Sequence, residues 1–253
     1  MRCIFSILFL ISSFSFAAAL DGQGEEDYNY PDYYIQQKAA VAGMIDLLDF
    51  DHMNAELPQP SEPYNRAKHF GSWINPKNDH SCFDTRGLVL ERDTAAKMTV
   101  NTSCRVQTGL WHDPYSGQSF ESALMIQIDH FVPLKHAYMT GAYEWNANKR
   151  CLYANYMGDE FHLISVSSRE NLSKSDRSPL EFMPSDKNYH CQYLKNWVET
   201  KYIRELRFTP REMKAILELV KISKCSAGNF KITQNEYQEQ LTYMSEHQDL
   251  CRK

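Results

Sequence analysis

A short apolar segment of the sequence ends in an acidic residue that is followed at once by a histidine. Residues 124–132 are rich in apolar and β-branched side chains, which favours a strand, and they contain Asp129 and His130. A second short strand is predicted at 161–166, and Asn171 follows it near the start of a helix. Because side chains alternate across a strand, we expect Asp129 and His130 to point to opposite sides. Two strands and a helix would thus bring a carboxylate, an imidazole and an amide into one region.

These side chains are suited to the hydrolysis of a phosphodiester bond by water. The attacking water must lose a proton, which requires a general base, and His130 can supply one. Negative charge that develops on the phosphorus and on the leaving oxygen is offset well by a divalent cation. Asp129 and the amide oxygen of Asn171 can bind one such cation, with water and phosphate completing its shell. We therefore expect one divalent metal ion, with Mg²⁺ preferred and Mn²⁺ or Zn²⁺ as alternatives.

Further residues near these strands are candidates for supporting roles. His162 is expected to brace the loop or the base, while a role as an additional metal ligand would shift the preference toward zinc or manganese. Lys174 is expected either to approach a substrate phosphate or to form a surface pair with Asp176. Arg169 and Arg177 are also candidates for phosphate contacts, although a solvated surface position is the simpler interpretation of both.

The same two segments resemble the motifs of the HNH, or ββα-metal, endonuclease family. The string from Asp129 to Leu134 is similar to the first motif of that family. The stretch from His162 to Asp176, with its Asn-x-x-Lys-x-Asp ending, is similar to the second and third motifs. The chain departs from the family at His162, where the middle motif usually has asparagine, and this departure bears on the role of that residue.

A closer resemblance is to secreted bacterial HNH proteins related to the C-terminal domain of GmrSD-type restriction enzymes. The shared strings are Cys-x-Val-x-x-Gly-x-Trp-x-Asp-Pro-Tyr-x-Gly at 104–117, a variant of Ala-Tyr-x-x-Gly-Ala-x-x-Trp at 137–145, and Tyr-x-Cys-x-Tyr-x-x-x-Trp at 189–197. The resemblance covers residues from about 64 to 225. It implies an α+β fold, with a ββα-metal (HNH) core of a short antiparallel hairpin plus a helix, surrounded by additional helices and stapled by disulfides.

The activity implied by the resemblance is that of a metal-dependent endonuclease that cuts DNA without sequence specificity, with RNA as a second candidate substrate. In this interpretation His130 activates water, Asp129 and Asn171 bind the metal ion, and His162 supports the site. Two alternatives stay open. One is a catalytically inactive exported module that binds nucleic acid, and the other is a toxin-type nuclease with an immunity protein as its partner.

The N-terminus has the features of a signal peptide. Met1-Arg2 is a short charged region, residues 3–16 form an apolar run, and residues 17–19 are alanines at a cleavage position. The run is too short to span a bilayer comfortably, and no later stretch is apolar for long enough. We expect cleavage after Ala19 and a mature chain, outside the membrane, in the periplasm or the medium, with an uncleaved anchor as the alternative.

Six cysteines remain when Cys3 leaves with the signal peptide. An even number in an exported chain predicts a disulfide framework but leaves the pairing open. The sequence contains no C-x-x-C pair, which disfavours a zinc-finger site. The resemblance to the secreted HNH proteins implies two pairs, and the remaining two cysteines would then tether the C-terminal segment. The pairs are Cys82–Cys104, Cys191–Cys225 and Cys151–Cys251.

Charge is distributed unevenly along the chain. The net charge is -5, but residues 20–62 hold ten acidic side chains against Lys38 alone, a net charge of -9. Residues 63–253 hold 22 acidic and 25 basic side chains, a net charge of +3. Enzymes that act on nucleic acid usually show a stronger basic footprint, so charge gives that class little support. The acidic segment is expected to be a solvated tail, and a nucleic-acid mimic that covers the site is the alternative.

Four regions are predicted along the chain. They are a signal peptide at 1–19, an acidic segment at 20–62 with one helix at 36–49, the nuclease domain at 63–225, and a C-terminal extension at 226–253. The composition, with 43% hydrophobic and 13% aromatic residues, excludes wholesale disorder. Further local patterns predict a turn at 113–117, a helix that Thr209 and Glu212 cap reciprocally, and helices around 135–151, 189–205 and 233–247.

Overall fold

The structure, a computed structural model, describes residues 44–46, 59–76 and 81–251, so the predicted signal peptide and most of the acidic segment lie outside the described residues. The strands are β1 (Met44–Asp46), β2 (Thr99–Val100), β3 (Val106–Asp113), β4 (Gln118–Ser122), β5 (Ile126–His130), β6 (Leu163–Ser167) and β7 (Lys231–Thr233). The helices are α1 (Arg66–His69), α2 (Thr85–Asp93), α3 (Leu134–Met139), α4 (Ala147–Ala154), α5 (Ser168–Lys174), α6 (His190–Ile203), α7 (Pro210–Ile222) and α8 (Gln234–Glu246). Helices and small antiparallel sheets are mixed, which confirms the α+β class.

The predicted hairpin and helix are formed by β5, β6 and α5. The two strands pair antiparallel, with Ile126 opposite Ser167 and His130 opposite Leu163. The side chain of Ser167 accepts a hydrogen bond from the backbone N–H of Glu170, so α5 begins directly where β6 ends. Every residue of β6 is buried, so this strand lies inside the fold. Its last residue, Ser167, caps the start of α5.

The turn predicted at 113–117 joins β3 to β4. Gly117 has a φ of +69°, and its N–H donates to the carbonyl of Asp113 over 2.8 Å. The carboxylate of Asp113 accepts from the backbone N–H of Tyr115 at 2.9 Å and from the hydroxyl of Ser116 at 2.6 Å. These bonds fix the turn and leave the Tyr115 ring fully buried beneath the hairpin β5–β6.

Most of the predicted helices are present close to their predicted bounds. The predicted capping box opens α7, because the Thr209 hydroxyl accepts from the N–H of Glu212 at 3.1 Å and the Glu212 carboxylate accepts in return at 3.3 Å. The helix α6 places Tyr193 and Trp197 in the main hydrophobic core, where both are fully buried. None of the helices in the described part of the chain combines the length and apolar character that crossing a membrane requires.

The helix predicted at 36–49 is wrong where the structure describes it. Met44–Asp46 forms a strand that pairs antiparallel with β7, with Met44 opposite Thr233. The hydrogen bonds of this pairing replace those that a helix would make internally. The periodicity of apolar residues within one short segment gives no information about a strand partner elsewhere in the chain. The rest of the predicted helix lies outside the described residues.

Three disulfides are present among the described residues, and their pairing is the expected one: two pairs are those that the resemblance implied, and the third joins the two cysteines that remained. The Cα atoms are 5.9 Å apart in Cys82–Cys104, 6.2 Å in Cys151–Cys251 and 5.4 Å in Cys191–Cys225. The second bond joins α4 to the end of the C-terminal extension. Phe230 and Ile232 of that extension are buried in the main core, so the extension packs with the rest of the fold.

Loss of the bond Cys151–Cys251 is expected to destabilise the protein most among these bonds, because it closes a loop with a sequence separation of 100. Replacing both cysteines by serine should lower the free energy of unfolding by about 2–5 kcal/mol. Urea denaturation at neutral pH measures the change. The matched control replaces Cys82 and Cys104, whose separation is 22, and should lose less. An equal or larger loss in the control would contradict the loop-length argument.

Candidate active site

One face of β5 and one face of α5 meet through two pairs of polar side chains. Gln127 and Asp129 share a side of the strand, and Asn171 and Lys174 are one turn apart on the helix. The Asn171 amide donates to Gln127 Oε1 over 2.6 Å, and Lys174 Nζ donates to Asp129 Oδ1 over 2.9 Å. The side chain of His130 makes different contacts, with α4 and with Trp73.

The imidazole of His130 is held by one hydrogen bond and one ring contact. Its Nε2 lies 2.9 Å from the carbonyl oxygen of Ala154, the last residue of α4. Because a carbonyl only accepts, Nε2 carries the proton in the neutral ring and Nδ1 holds the free lone pair. The ring is parallel to that of Trp73, with an interplanar angle of 1° and centroids 5.1 Å apart. No residue in the described ranges makes a hydrogen bond to Nδ1.

The surroundings of His130 keep it neutral. Burial lowers the pKa of this histidine from its ordinary value to about 3, and the positive charges of Arg66 and Lys174 contribute in the same direction. The hydrogen bond to Ala154 opposes this shift. The imidazole is therefore unprotonated across the neutral and mildly acidic range, which is the state that a general base requires.

Asp129 is buried beside a cation and a phenol. Its carboxylate accepts from Tyr115 Oη at 2.7 Å and from Lys174 Nζ, which is 2.7 Å from Oδ2. Burial raises the pKa of Asp129, while the ammonium and the phenol act to lower it. Lys174 also donates to the carbonyl of His130 over 3.0 Å, so one ammonium contacts both residues of the Asp-His string.

The phosphate contact predicted for Lys174 does not fit this geometry. The side chain is fully buried, and its ammonium is engaged by Asp129 and by the His130 carbonyl. The surface pair with Asp176 is wrong as well, because Lys135 is the residue that pairs with Asp176, at 2.6 Å. Arg169 and Arg177 are exposed, and neither lines the cavity that holds His130 in the described structure.

His162 lies behind His130 and has no solvent exposure. Its Nε2 is 2.7 Å from the carbonyl oxygen of Tyr153, and its ring meets the edges of the Tyr153 and Tyr156 rings. Tyr153 and Ala154 end α4, where a helix leaves its last carbonyls without internal partners. The two histidines thus bind successive carbonyls at one helix end, an arrangement that supports a bracing role for His162.

One open cavity of about 440 Å³ brings the predicted residues together. Asp129, His130 and Asn171 all line it, whereas His162 does not. A second cavity of about 400 Å³ lies between α4, α6 and α8 and is lined by none of the predicted site residues. The two cavities are similar in volume, so volume does not distinguish the candidate site; the residues that line it do.

Three residues around the site were missed by reasoning from the sequence. Tyr115 holds Asp129, and the only sequence signal for it was its place in the turn string at 104–117, interpreted as structural. Trp73 is half-buried and stacks on His130. Arg66 lines the same cavity as His130. Nothing in the local pattern of the last two residues indicates these contacts.

The donor set fits a hard cation that keeps water among its ligands. The Asp129 carboxylate accepts two hydrogen-bond donors and retains further lone pairs, and Asn171 Oδ1 makes no hydrogen bond to any described residue. Within the described ranges no group of three or more His, Cys, Asp and Glu side chains could hold a metal ion. One carboxylate and one amide oxygen are the types of ligand that a hard cation such as Mg²⁺ prefers.

Stability should fall as the pH drops below about 6.5, because burial lowers the pKa of His130, His136 and His162. Below the unfolded pKa the unfolded chain binds protons that the folded chain excludes, so this loss continues down to the folded pKa. Between pH 7.5 and 5.5 a histidine that stays neutral in the folded chain, such as His130 with its pKa of about 3, contributes about 1.4 kcal/mol of loss. His162→Asn should remove one such contribution from the pH dependence of urea denaturation. The exposed His112→Gln is the control, and an unchanged pH dependence in His162→Asn would contradict the assignment.

Comparison with known proteins shows which family the chain resembles. The family model for the C-terminal domain of GmrSD restriction endonucleases matches residues 63–219, which is more than half of the chain. A protein of Arthroderma benhamiae described as an uncharacterized secreted protein is 33% identical over 161 residues, which cover 64% of this chain and 76% of that protein. No solved structure shows significant similarity. The chain therefore belongs to the family of GmrSD restriction endonuclease C-terminal domains, as its HNH-type motifs indicated.

Proposed function

We propose that the protein is a secreted, metal-dependent endonuclease that hydrolyses phosphodiester bonds in DNA, with RNA as a second substrate. The observation that carries this proposal is the geometry of His130. Its Nε2 is bound to a carbonyl, its Nδ1 has no partner among the described residues, and it lines the same cavity as Asp129 and Asn171. The endonuclease family to which the chain belongs supports this chemistry.

In the proposed reaction His130 Nδ1 accepts a proton from the attacking water as its oxygen bonds to phosphorus. The bond from phosphorus to the 3′ oxygen breaks, and this oxygen leaves with the bonding electron pair and takes a proton from solvent. Asp129 and Asn171 would hold a divalent ion, which supplies charge stabilisation at the phosphorus and the leaving oxygen. The Nε2–H bond to Ala154 strengthens when the ring becomes cationic. A base with a pKa of about 3 accepts a proton weakly, but a bound phosphate beside it raises that pKa during the reaction.

Secretion is the setting that three observations favour. The N-terminal residues have the pattern of a signal peptide, and the relative from Arthroderma benhamiae is described as secreted. The three disulfides are stable in an oxidising compartment and uncommon in a reducing one.

Cleavage of supercoiled plasmid by the mature, oxidised protein tests the proposal. Mg²⁺, Mn²⁺ and Zn²⁺ are titrated separately, with a chelator as the control and a single-stranded RNA as a parallel substrate. We expect nicked and linear DNA with at least one ion and none with chelator. Binding of DNA without cleavage in all three ions would overturn the proposal in favour of an inactive binding module.

Asn171→Ala is expected to weaken the apparent metal affinity about tenfold or more, because one of the two protein oxygens is lost. The midpoint of the metal titration in the plasmid assay measures this effect. Leu172→Ala is the matched control, since Leu172 lies on the same helix and rim and is 69% exposed. A midpoint in Asn171→Ala equal to that of the control would rule out Asn171 as a ligand.

A further inference from the structure

Arg66, Trp73 and His130 form a contiguous group, in which Arg66 and His130 line the cavity and Trp73 contacts both of them. The guanidinium carbon of Arg66 lies 5.5 Å from the centroid of the Trp73 ring, within the range of a cation–π contact. The Trp73 ring is parallel to the His130 imidazole. Arg66 and His130 both line the cavity, and the charge of Arg66 contributes to lowering the pKa of His130.

The cations that line the cavity or contact Asp129 are not equivalent. Lys135 pairs with Asp176, and Lys174 is buried against Asp129. Arg66 is exposed, and in the described part of the chain it forms no ion pair. It is therefore the cationic side chain at the cavity whose charge is not already opposed by a carboxylate.

We propose that Arg66 binds a phosphate of the nucleic-acid substrate and that Trp73 is a positioning residue for both Arg66 and His130. This inference rests on the proposed function. A guanidinium that stacks on an aromatic ring keeps its in-plane N–H donors free, and those donors match two oxygens of a phosphate. Trp73 limits rotation of the imidazole on one side, while the bond to Ala154 fixes its Nε2.

A purely structural role for Trp73 is the competing explanation. The ring is half-buried and packs at the edge of the smaller hydrophobic cluster around Trp111. Such a role predicts that Trp73 variants lose stability without any change in the kcat of the folded protein or in its affinity for DNA. A positioning role predicts a lower kcat and weaker DNA binding in the folded protein, because removal of the ring lets the imidazole of His130 and the guanidinium of Arg66 rotate more freely.

The test of Arg66 measures plasmid cleavage and binding of duplex DNA in chelator, each over a range of salt concentrations. Arg66→Gln should lower kcat/KM about tenfold to a hundredfold and reduce the slope of log affinity against log salt by about one. Arg211→Gln, an exposed arginine on α7, is the matched control. The same effect in Arg211→Gln, or a larger one in Arg169→Gln or Arg177→Gln, would overturn the proposal.

The test of Trp73 compares Trp73→Phe, which keeps a ring, with Trp73→Leu, which does not. Trp73→Leu should lower kcat about tenfold or more and weaken the binding of duplex DNA in chelator, both measured on protein that urea denaturation shows to be folded. Trp73→Phe should recover most of both. An unchanged kcat and an unchanged DNA affinity in folded Trp73→Leu would leave only the structural role.

The two proposals fail in different ways. If wild-type protein cuts no DNA with any metal, the proposed function fails, and the binding assay in chelator still reports whether Arg66 contacts phosphate. If wild-type protein cuts DNA and Arg66→Gln cuts and binds like Arg211→Gln, only the role of Arg66 is wrong.

Discussion

His130→Gln is expected to lower the rate of plasmid cleavage by about a hundredfold or more at saturating metal, which is the usual cost of removing a general base. Glutamine is close to histidine in size, and its amide can still donate to the Ala154 carbonyl that His130 Nε2 contacts. It has no nitrogen lone pair that can take a proton from water. The free energy of unfolding should therefore change far less than the rate.

Single-turnover cleavage and urea denaturation on the same preparation separate the two effects. His112→Gln makes the same chemical change at an exposed position and serves as the matched control. If His130→Gln cuts plasmid within tenfold of the wild-type rate, another group removes the proton and the proposed mechanism is wrong.

Lys174→Met is expected to have the largest effect on stability. It leaves the Asp129 carboxylate buried with Tyr115 as its remaining hydrogen-bond donor, and breaking a buried pair on one side costs about 3–5 kcal/mol. The exposed pair of Lys135 and Asp176 is the matched control, because Lys135→Met should cost about 1 kcal/mol or less. Urea denaturation at neutral pH gives both values.

The double variant Lys174→Met with Asp129→Asn tests the cause of that loss. It removes the uncompensated charge as well as its partner, so it should recover much of the stability lost in Lys174→Met alone. Lys174→Met and Lys135→Met with equal losses would contradict the buried pair. A phosphate contact at Lys174, one of the two roles that the sequence left open, would instead appear as weaker DNA binding without loss of stability.

The features that the sequence predicted well depend on local pattern. The Asp-His string at the end of β5, the turn at 113–117 and the capping box at Thr209 each depend on neighbouring residues, and all three are found where they were expected. The pairing of the cysteines depended on resemblance, because spacing alone leaves several pairings open. The family assignment had the same source and is confirmed by the match over 63–219.

The features that were missed depend on contacts between distant segments. The burial of Lys174 depends on its meeting Asp129 across the β5–α5 contact, and a lysine at the end of a short helix ordinarily faces solvent. Trp73 and Arg66 belong to a segment that is far from His130 in sequence. No sequence pattern in that segment indicates that the two residues contact the site. The strand at Met44–Asp46 exists because β7 pairs with it.

The helix α4 connects the C-terminal extension to the candidate active site. The backbone carbonyls of Ala154 and Tyr153 accept hydrogen bonds from His130 and His162. Cys151, one turn earlier on the same helix, is covalently joined to Cys251. The region that matches the family ends at residue 219, so the anchor of this helix lies beyond it. The part of the chain that supports the site thus extends beyond the region that matches the family. A chain trimmed to the matched region would lose the covalent link to the helix whose last carbonyls hold His130 and His162.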